Sequence, residues 1–306
     1  MAAVETFQTQ IAANKRNSVL LAIVMMILLL AIGASLGIAL TGELQSGILI
    51  AFAVGVIILL VASLSGASAI LAFSGAHQIE KEDAPQLFNV VEELSLAAGI
   101  PMPKVYIIEE DAPNAFATGM SPDKAAVAIT TGLLEKLNRE QLQGVMAHEI
   151  GHIRNFDIRF SLMLAILAGG IVMISEIFLR SLWLSGGRRR SNNRNEGGAQ
   201  LIFLVIGIIL AILAPILTAL IQMAVSRQRE YLADSSAVEF TRNPEGLAQA
   251  LEILAGDRSP MKVSNATENM YIVNPNLGLR GGADSLFSTH PPIAKRIARL
   301  RGLTTD

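Results

Sequence analysis

The 306-residue chain contains no cysteine, few aromatic residues and few charged ones. Without cysteine there is no disulfide framework, and any metal site must take its ligands from histidine, aspartate and glutamate. Charged residues make up 16% of the chain, against about 25% in a typical soluble protein. The 24 basic and 26 acidic residues give a formal net charge of −2. The chain therefore lacks the basic excess that holds a nucleic-acid backbone, and we expect no nucleic-acid partner.

Apolar residues, in contrast, make up 52% of the chain, and the mean hydropathy is +0.49. Four stretches reach the roughly 20 apolar residues that a helix needs to cross a lipid bilayer. They are residues 18–40, 47–73, 158–184 and 200–225. This composition argues against an ordinary soluble enzyme and predicts a membrane protein.

The first two stretches predict an N-terminal transmembrane hairpin over residues 1–73. The first stretch is too long for a cleavable signal peptide and lacks a small-residue cleavage site, so it is expected to remain as an anchor. Lys15 and Arg16 precede it, whereas the turn at 41–46 carries no lysine or arginine. Because positive charges favour the cytoplasmic side, the N-terminus and the segment after residue 73 are predicted to be cytoplasmic.

The second apolar pair, residues 158–225, leaves two alternatives open. An arginine-rich loop at 185–199 separates the two stretches, and two full crossings would place its arginines outside, against the positive-inside rule. Trp183 nevertheless suits an interface anchor, and both stretches are of full length. Glu176 and Arg180 can pair along one helix face. The pair therefore either spans the membrane twice or forms a shallow, re-entrant hairpin.

Two polar segments, residues 74–157 and 226–306, are predicted to form the two parts of one protease domain. The first is predicted to contain a helix at 83–99, strands at 104–109 and 125–130 with a short extended or turning segment at 114–119 between them, and a helix capped by Asn138. Gln141 completes a capping box there, and an apolar stripe runs on to Ile153. The second reads as a helix at 227–255 broken near Asn243, a loop at 256–289, and a last amphipathic helix after Pro291 and Pro292.

The chemistry is suggested by His148, Glu149 and His152, which form an HExxH motif on the capped helix. Residues four apart share a helix face, so both imidazoles can reach one metal ion. Glu149 is rotated by about 100° from His148, which puts its carboxylate beside the metal, where a general base must sit. The amphipathic, capped context argues against a chance match and predicts a zinc site.

Two histidines leave a catalytic zinc one protein ligand short. The third ligand must lie on the same side of the membrane, and the first polar segment after the apolar pair contains Glu230 and Asp234. Glu230 is the candidate ligand, and Asp234 could accept a hydrogen bond from a ligating histidine. The alternative is that Arg227 and Arg229 flank the membrane and Glu230 is their solvated partner.

These motifs together resemble the HtpX-type membrane zinc endopeptidases, which are gluzincins related to CAAX prenyl proteases and periplasmic zinc chaperone-proteases. The resemblance covers essentially the whole chain: the transmembrane pair, PNAFATG at 113–119, HExxH, ExxAD at 230–234 and STHPP at 288–292. It implies one Zn²⁺ per chain on His148, His152 and Glu230, with Asp234 orienting a ligand.

Four further residues have candidate roles, and for His290, Asn114 and Ala115 the same resemblance implies them. His290 is expected to stabilise the oxyanion or to cap the zinc; otherwise it caps the last helix. Asn114 and Ala115 are expected to contact an extended substrate, since a short strand with small residues can pair with a peptide backbone; otherwise they form a plain turn. Arg227 contacts substrate or the site carboxylates, or merely flanks the membrane.

We therefore expect a mainly α membrane protein with four hydrophobic helices and a small α+β, gluzincin-like protease domain. Its expected partners are the lipid bilayer and unfolded or damaged membrane proteins, cleaved at the cytoplasmic face of the bacterial inner membrane in envelope quality control. The alternatives are a CAAX-type processing protease with a narrow substrate, and a zinc-binding chaperone or scaffold without activity. A transporter is disfavoured, because charged residues are nearly absent from the spans. No oligomeric state follows from the sequence.

Overall fold

The computed structural model describes residues 7–185, 202, 205–209, 212–213, 216, 229–257, 259, 272 and 291–302. The chain divides into two compact units, one formed by residues 1–16, 65–162 and 222–306, the other by residues 17–64 and 163–221. Most of the predicted arginine-rich loop and of the fourth apolar stretch lies outside the described residues.

The described part of the chain is mainly helical, with one small sheet. The helices are α1 (Phe7–Thr41), α2 (Leu44–Phe73), α3 (Pro85–Ala98), α4 (Thr131–Lys136), α5 (Arg139–Arg154), α6 (Asp157–Ser185), α7 (described over 229–241), α8 (Pro244–Gly256) and α9 (Ile293–Gly302). The strands are β1 (His77–Gln78), β2 (Lys104–Ile108), β3 (Ala115–Thr118) and β4 (Ala126–Thr130).

Three described helices are long and apolar enough to cross a membrane. The candidate spans are Asn14–Ile38, Leu44–Phe73 and Asp157–Glu176, and they match the first three predicted stretches. The unit of residues 17–64 and 163–221 contains most of this apolar surface. Within it, α1 and α2 approach closely at glycines: a Cβ on Gly37 would lie 2.8 Å from Gly47 Cα. Small residues allow such backbone contact between helices in lipid.

The other unit is built on a four-stranded sheet with strand order β1-β2-β4-β3. β2 and β4 run parallel, whereas β1 pairs antiparallel with β2, and β3 antiparallel with β4. The three longer strands lie within the predicted ranges, and the two-residue β1 was not predicted. β3 is an edge strand, and it contacts α5. One backbone edge of the sheet therefore lies beside the helix that carries HExxH.

The helix α5 begins where the sequence predicts. The Asn138 side chain accepts from Gln141 N at 3.0 Å, and the Gln141 side chain accepts from Asn138 N at 3.0 Å, which completes the capping box. Its apolar stripe is fully buried against α3 and α8, as Val145, Met146 and Ile150 each have no exposed surface. Burial of this stripe fixes the rotation of α5 and hence the direction of the motif side chains. The expected mainly α membrane protein with a small α+β part is confirmed.

Candidate active site

The two histidines of the HExxH motif lie on one face of α5, as their spacing requires. His148 Nε2 and His152 Nε2 are 3.2 Å apart, and the two rings meet at an interplanar angle of 84°. His148 has no exposed surface, and the His152 side chain is 16% exposed. Both Nε2 atoms are thus directed at one point in an almost dry site.

Glu230 on α7 completes a group of three potential ligands. Its Oε2 lies 3.5 Å from His148 Nε2, and its Oε1 lies 3.6 Å from His152 Nε2. One donor atom from each of the three residues lies within 4.8 Å of the others, so the group is able to hold a metal ion. The close approach of α7 depends on Gly151, because a Cβ there would lie 3.0 Å from Ser236 Cβ and 3.2 Å from the Ala233 carbonyl oxygen.

Each histidine is held through its second ring nitrogen by a buried aspartate. His148 Nδ1 lies 3.0 Å from Asp234 Oδ1, and His152 Nδ1 lies 3.0 Å from Asp157 Oδ2. Such contacts fix the tautomer that leaves Nε2 free to bind a metal. Asp234, which the sequence singles out, thus lies beside His148, and Asp157, the first residue of α6, lies beside His152.

Arg296 on α9 is a fully buried cation at the centre of the site. Its Nε and Nη2 donate to the two carboxylate oxygens of Asp234 at 2.9 and 2.6 Å. Its Nη1 lies 3.1 Å from Glu230 Oε2. This bidentate geometry ties the aspartate that orients His148 to the third potential ligand.

The pKa values of the site reflect burial and close charges. Burial raises the pKa of Glu149, a residue that is only 1% exposed. Burial alone would lower the pKa of His148, and so would the charge of Arg296. Hydrogen bonds to Asp234 and Glu230 outweigh both and raise that pKa to about 9. The Arg296 charge, working against burial, holds the pKa of Asp234 below its usual range.

The charge balance of the buried groups also favours a cation. The residues Glu149, Glu230, Asp234 and Asp157 are all at most 5% exposed, and the two buried guanidinium groups that accompany them belong to Arg296 and Arg229. The ionised carboxylates would outnumber these cations by two, and the imidazoles are neutral when they bind metal. Without metal, the proton that His148 retains offsets one of these two charges. A divalent ion would neutralise both, and unbalanced charge is costly in a dry interior.

The predicted substrate residues lie at the edge strand beside this site. In the antiparallel pairing of β3 with β4, the backbone N–H and C=O groups of Phe116 and Thr118 face β4. Those of Ala115 and Ala117 therefore point to the open edge of the sheet. Ala115 O accepts a hydrogen bond from Ile272 N at 3.0 Å. Asn114 is 3% exposed, and its Oδ1 accepts from Ala115 N.

The site contains two residues that the sequence reasoning missed, and two predicted residues lie outside the described part. His290 and Arg227 are outside the described residues. Arg296 was detectable in principle, since it falls on the apolar stripe of α9 between Ile293 and Leu300, where a charge needs a buried partner. Asp157 had no such signal, because its approach to His152 depends on the backbone turn before α6.

Comparisons with known proteins relate the chain to a family of peptidases. Residues 81–304 match the profile of peptidase family M48. The chain is 46% identical over 294 residues to a protease HtpX homolog of Streptococcus uberis, covering 95% of this chain and 98% of that one. A protease HtpX homolog of Listeria monocytogenes is 47% identical over 301 residues, with 96% and 99% covered.

A solved structure shares the fold at low sequence identity. The crystal structure of S. mikatae Ste24p superposes with a TM-score of 0.52 at 19% identity. The match covers 94% of this chain and 66% of that chain, so the present chain spans about two thirds of the length of Ste24p. The resemblance drawn from the motifs is confirmed by the family profile and the curated relatives. The chain therefore belongs to peptidase family M48 and is a membrane-bound metalloprotease.

Proposed function

We propose that the protein is a zinc endopeptidase in which His148, His152 and Glu230 hold the metal and Glu149 is the general base. The observation that carries this proposal is the convergence of two imidazole nitrogens and a carboxylate within 4.8 Å of one another. Glu149 is buried on the same helix, one residue from His148. The family model and the HtpX homologs support a peptidase as the activity of this site.

The donor set fits zinc in both chemistry and spacing. Two histidines and a glutamate are a common ligand set of catalytic zinc, which keeps its fourth position open. Nitrogen ligands at about 2.0–2.1 Å from a tetrahedral zinc lie about 3.3 Å from one another. The separations of 3.2, 3.5 and 3.6 Å among the three residues agree with that spacing.

The residues around the ligands have separate tasks. When bound, zinc supplies Lewis acidity: it polarises a carbonyl oxygen and makes a water molecule more acidic. Glu149 accepts a proton from the attacking water and delivers it to the leaving amine. Burial, which raises the pKa of its carboxyl, strengthens it as a base and lets it hold the proton between the two transfers. Asp234 orients His148 throughout.

The peptide is proposed to add to the edge of the sheet at β3. Ala115 and Ala117 direct their backbone groups to this edge, and β3 contacts α5, which carries the motif. Backbone pairing does not depend on the side chains of the peptide, so it suits substrates of varied sequence. A peptide that bonds to Ala115 O must take the place of the Ile272 amide.

The substrates are proposed to be misfolded or damaged membrane proteins and unfolded proteins, cleaved at the cytoplasmic face of the bacterial inner membrane. The positions of Lys15 and Arg16 at the N-terminal end of the first candidate span, ahead of its apolar stretch at 18–40, support this orientation. A peptidase site on the same chain as several membrane helices acts on segments close to the bilayer. Envelope quality control is the role that fits such a site.

Cleavage of casein by the detergent-purified protein tests this proposal. Wild type and Glu149→Gln are prepared with a chelator, and zinc is then restored. We expect zinc to restore cleavage by the wild type alone, with a loss of at least about 100-fold in the variant, because general-base catalysis contributes on that order.

Two other outcomes would redirect the assignment. Equal zinc binding with no casein cleavage by either protein would contradict a broad specificity and favour a processing protease with a narrow substrate or a zinc-binding chaperone. Zinc-dependent cleavage by the Glu149→Gln variant at the wild-type rate would remove Glu149 as the base.

A further inference from the structure

The turn between α5 and α6 bends the chain sharply beside the site. Phe156 has a φ of 60°, in the left-handed region that residues other than glycine rarely adopt. Such a conformation persists where the surrounding structure holds it in place. Here it brings Asp157 back toward α5, so that Asp157 Oδ2 lies 3.0 Å from His152 Nδ1.

This turn is held by the first helix of the chain. Asn14 Nδ2 donates to Asp157 Oδ1 at 2.7 Å and to the Asn155 carbonyl oxygen at 2.9 Å. Both partners only accept hydrogen bonds, so the two hydrogens of the Asn14 amide match them. Lys15 Nζ lies 4.0 Å from the centre of the Phe156 ring. Two adjacent residues of α1 therefore contact all three residues of the turn.

The contact is buried, which makes its hydrogen bonds costly to lose. Asn14 is 6% exposed, Asp157 2% and Asn155 0%. Arg229, stacked 3.7 Å above the Phe160 ring, places its Nε 3.7 Å from the same Asp157 oxygen that accepts from Asn14. Asp157 thus has one oxygen directed at His152 and the other at Asn14 and Arg229.

The supports of the two histidines come from different elements of the unit. His148 is oriented by Asp234, which Arg296 of α9 holds. His152 is oriented by Asp157, which Asn14 of α1 holds. Replacing a partner that orients a ligating histidine typically weakens metal binding by about 10- to 100-fold. A residue that fixes such a partner in place should therefore affect metal affinity through that partner.

We propose that Asn14 is a positioning residue for the metal site, acting through Asp157 on His152. The short segment ahead of the first apolar stretch is then part of the peptidase site in addition to being the start of the anchor. We refer to the contacts from Asn14 through Asp157 to His152 as the relay. This inference rests on the proposed metal ligands, so its test must separate failure of the relay from failure of the proposed ligand set.

The test compares zinc affinity in the full-length, detergent-purified protein, measured by competition with a chelator. We expect Asn14→Leu to bind zinc about 10- to 100-fold more weakly than wild type. Asn17→Leu, the same substitution three residues further along α1 at a half-buried position, is the matched control and should bind as wild type does. The visible absorption of the Co²⁺-substituted protein should change in Asn14→Leu and not in the control.

A double mutant separates positioning from general destabilisation. If Asn14 acts through Asp157, Asn14→Leu should weaken zinc binding no further in an Asp157→Asn background. Additive losses would overturn the relay, as would equal zinc affinities of Asn14→Leu and Asn17→Leu. Asn14→Ser keeps a polar group at the buried position and must show the same loss of zinc affinity. It replaces Asn14→Leu if the leucine variant does not fold.

His148→Ala keeps the two hypotheses apart. If His148→Ala loses zinc binding while Asn14→Leu binds zinc as wild type does, the proposed ligands are supported and the relay is rejected. Wild-type zinc affinity in His148→Ala would instead reject the proposed ligands, and the relay with them.

Discussion

Arg296 is a cation with no exposed surface, and its position explains how four carboxyl groups coexist around two histidines. It donates twice to Asp234 and lies 3.1 Å from Glu230. Breaking a buried ion pair from one side leaves the opposite charge without compensation, which costs more than the pair itself contributes. The residue is therefore needed for folding of the site before any chemistry takes place.

Replacement of Arg296 by methionine should destabilise the metal-free protein by about 3–5 kcal/mol, because Asp234 and Glu230 would remain buried without their partner. Lys295→Met is the matched control on the same helix, since Lys295 is exposed, and it should change stability by less than about 0.5 kcal/mol. Denaturant titration in detergent under chelator provides the measurement. Equal stability of the two variants would contradict the central position of Arg296.

The pKa of His148 gives the metal-free protein an unusual pH dependence. The value of about 9 in the folded state exceeds the ordinary 6.5, so folding is favoured by the proton that His148 retains. This contribution, on the order of 3 kcal/mol, is fully present below about pH 6.5 and is lost as the pH rises through about 9.

Chelated wild type should accordingly lose stability between pH 6.5 and 9, and His148→Gln should lose less over the same interval. Zinc must displace the proton, so the rise in melting temperature on adding zinc should be larger at pH 9 than at pH 6.5. Thermal unfolding with and without chelator at both pH values checks both expectations. A chelated protein that gains stability with rising pH would contradict the assignment.

At the scale of elements, the decisive contact is the approach of α7 to α5. Gly151 sits between the two histidine-bearing turns, and α7 passes over it with Ser236 Cβ 3.0 Å from the position of a Cβ. This spacing sets the depth to which Glu230 reaches toward His148 and His152. A side chain at position 151 would push α7 away from α5 and so change the position of Glu230 at the metal site.

Gly151→Ala should weaken zinc binding by about tenfold, because an overpacked contact costs roughly 1–3 kcal/mol or is relieved by moving α7 outward. Gly169→Ala is the control, since a Cβ at that glycine would meet nothing within 4 Å. Chelator competition on both variants gives the comparison. Unchanged zinc affinity in Gly151→Ala would show that the position of Glu230 does not depend on this contact.

Elements with a local signal could be predicted from the sequence, whereas contacts made by tertiary packing could not. The capping box of Asn138 and the apolar stripe of α5 placed the HExxH helix correctly, and Pro292 correctly preceded α9. The strand β1 has only two residues, too few to show the alternation of polar and apolar residues that identifies a strand. Among the described residues, most of the secondary structure follows from such local patterns.

The candidate site was predictable to the same extent. The two histidines and Glu149 follow from helical spacing. For Glu230 and Asp234, spacing alone did not favour a metal site over a solvated surface position, and the resemblance of the chain to the HtpX-type family was needed. The link from Asp157 to His152 depends on the left-handed conformation of Phe156, and no residue type at that position signals it. Asn14 lies more than a hundred residues away from its partners, so no local pattern connects them.

At the scale of the whole molecule, the membrane orientation decides which proteins reach the site. Since the chain lacks native cysteine, single introduced cysteines report sidedness without background. Glu43 lies in the turn between the first two candidate spans, and Asp123 lies in the unit that carries the site; both are exposed.

In intact cells, a membrane-impermeant maleimide should label Glu43→Cys, whereas Asp123→Cys should react only after lysis. The reverse pattern would contradict a cytoplasmic site. Asn192→Cys extends the test to the second apolar pair: labelling from outside would support two full crossings, and protection there would favour the shallow hairpin.

Zinc content is the most direct measure of whether His148, His152 and Glu230 hold one zinc ion per chain. Wild type, Glu230→Gln and Glu239→Gln are purified in parallel, equilibrated with zinc and a weak chelator, and measured for bound metal. Glu239, on the same helix, pairs with Arg154 away from the ligands and serves as the control. We expect one zinc per chain in wild type and Glu239→Gln and a loss of nearly all zinc in Glu230→Gln. Full zinc content in Glu230→Gln would contradict the proposed ligand set.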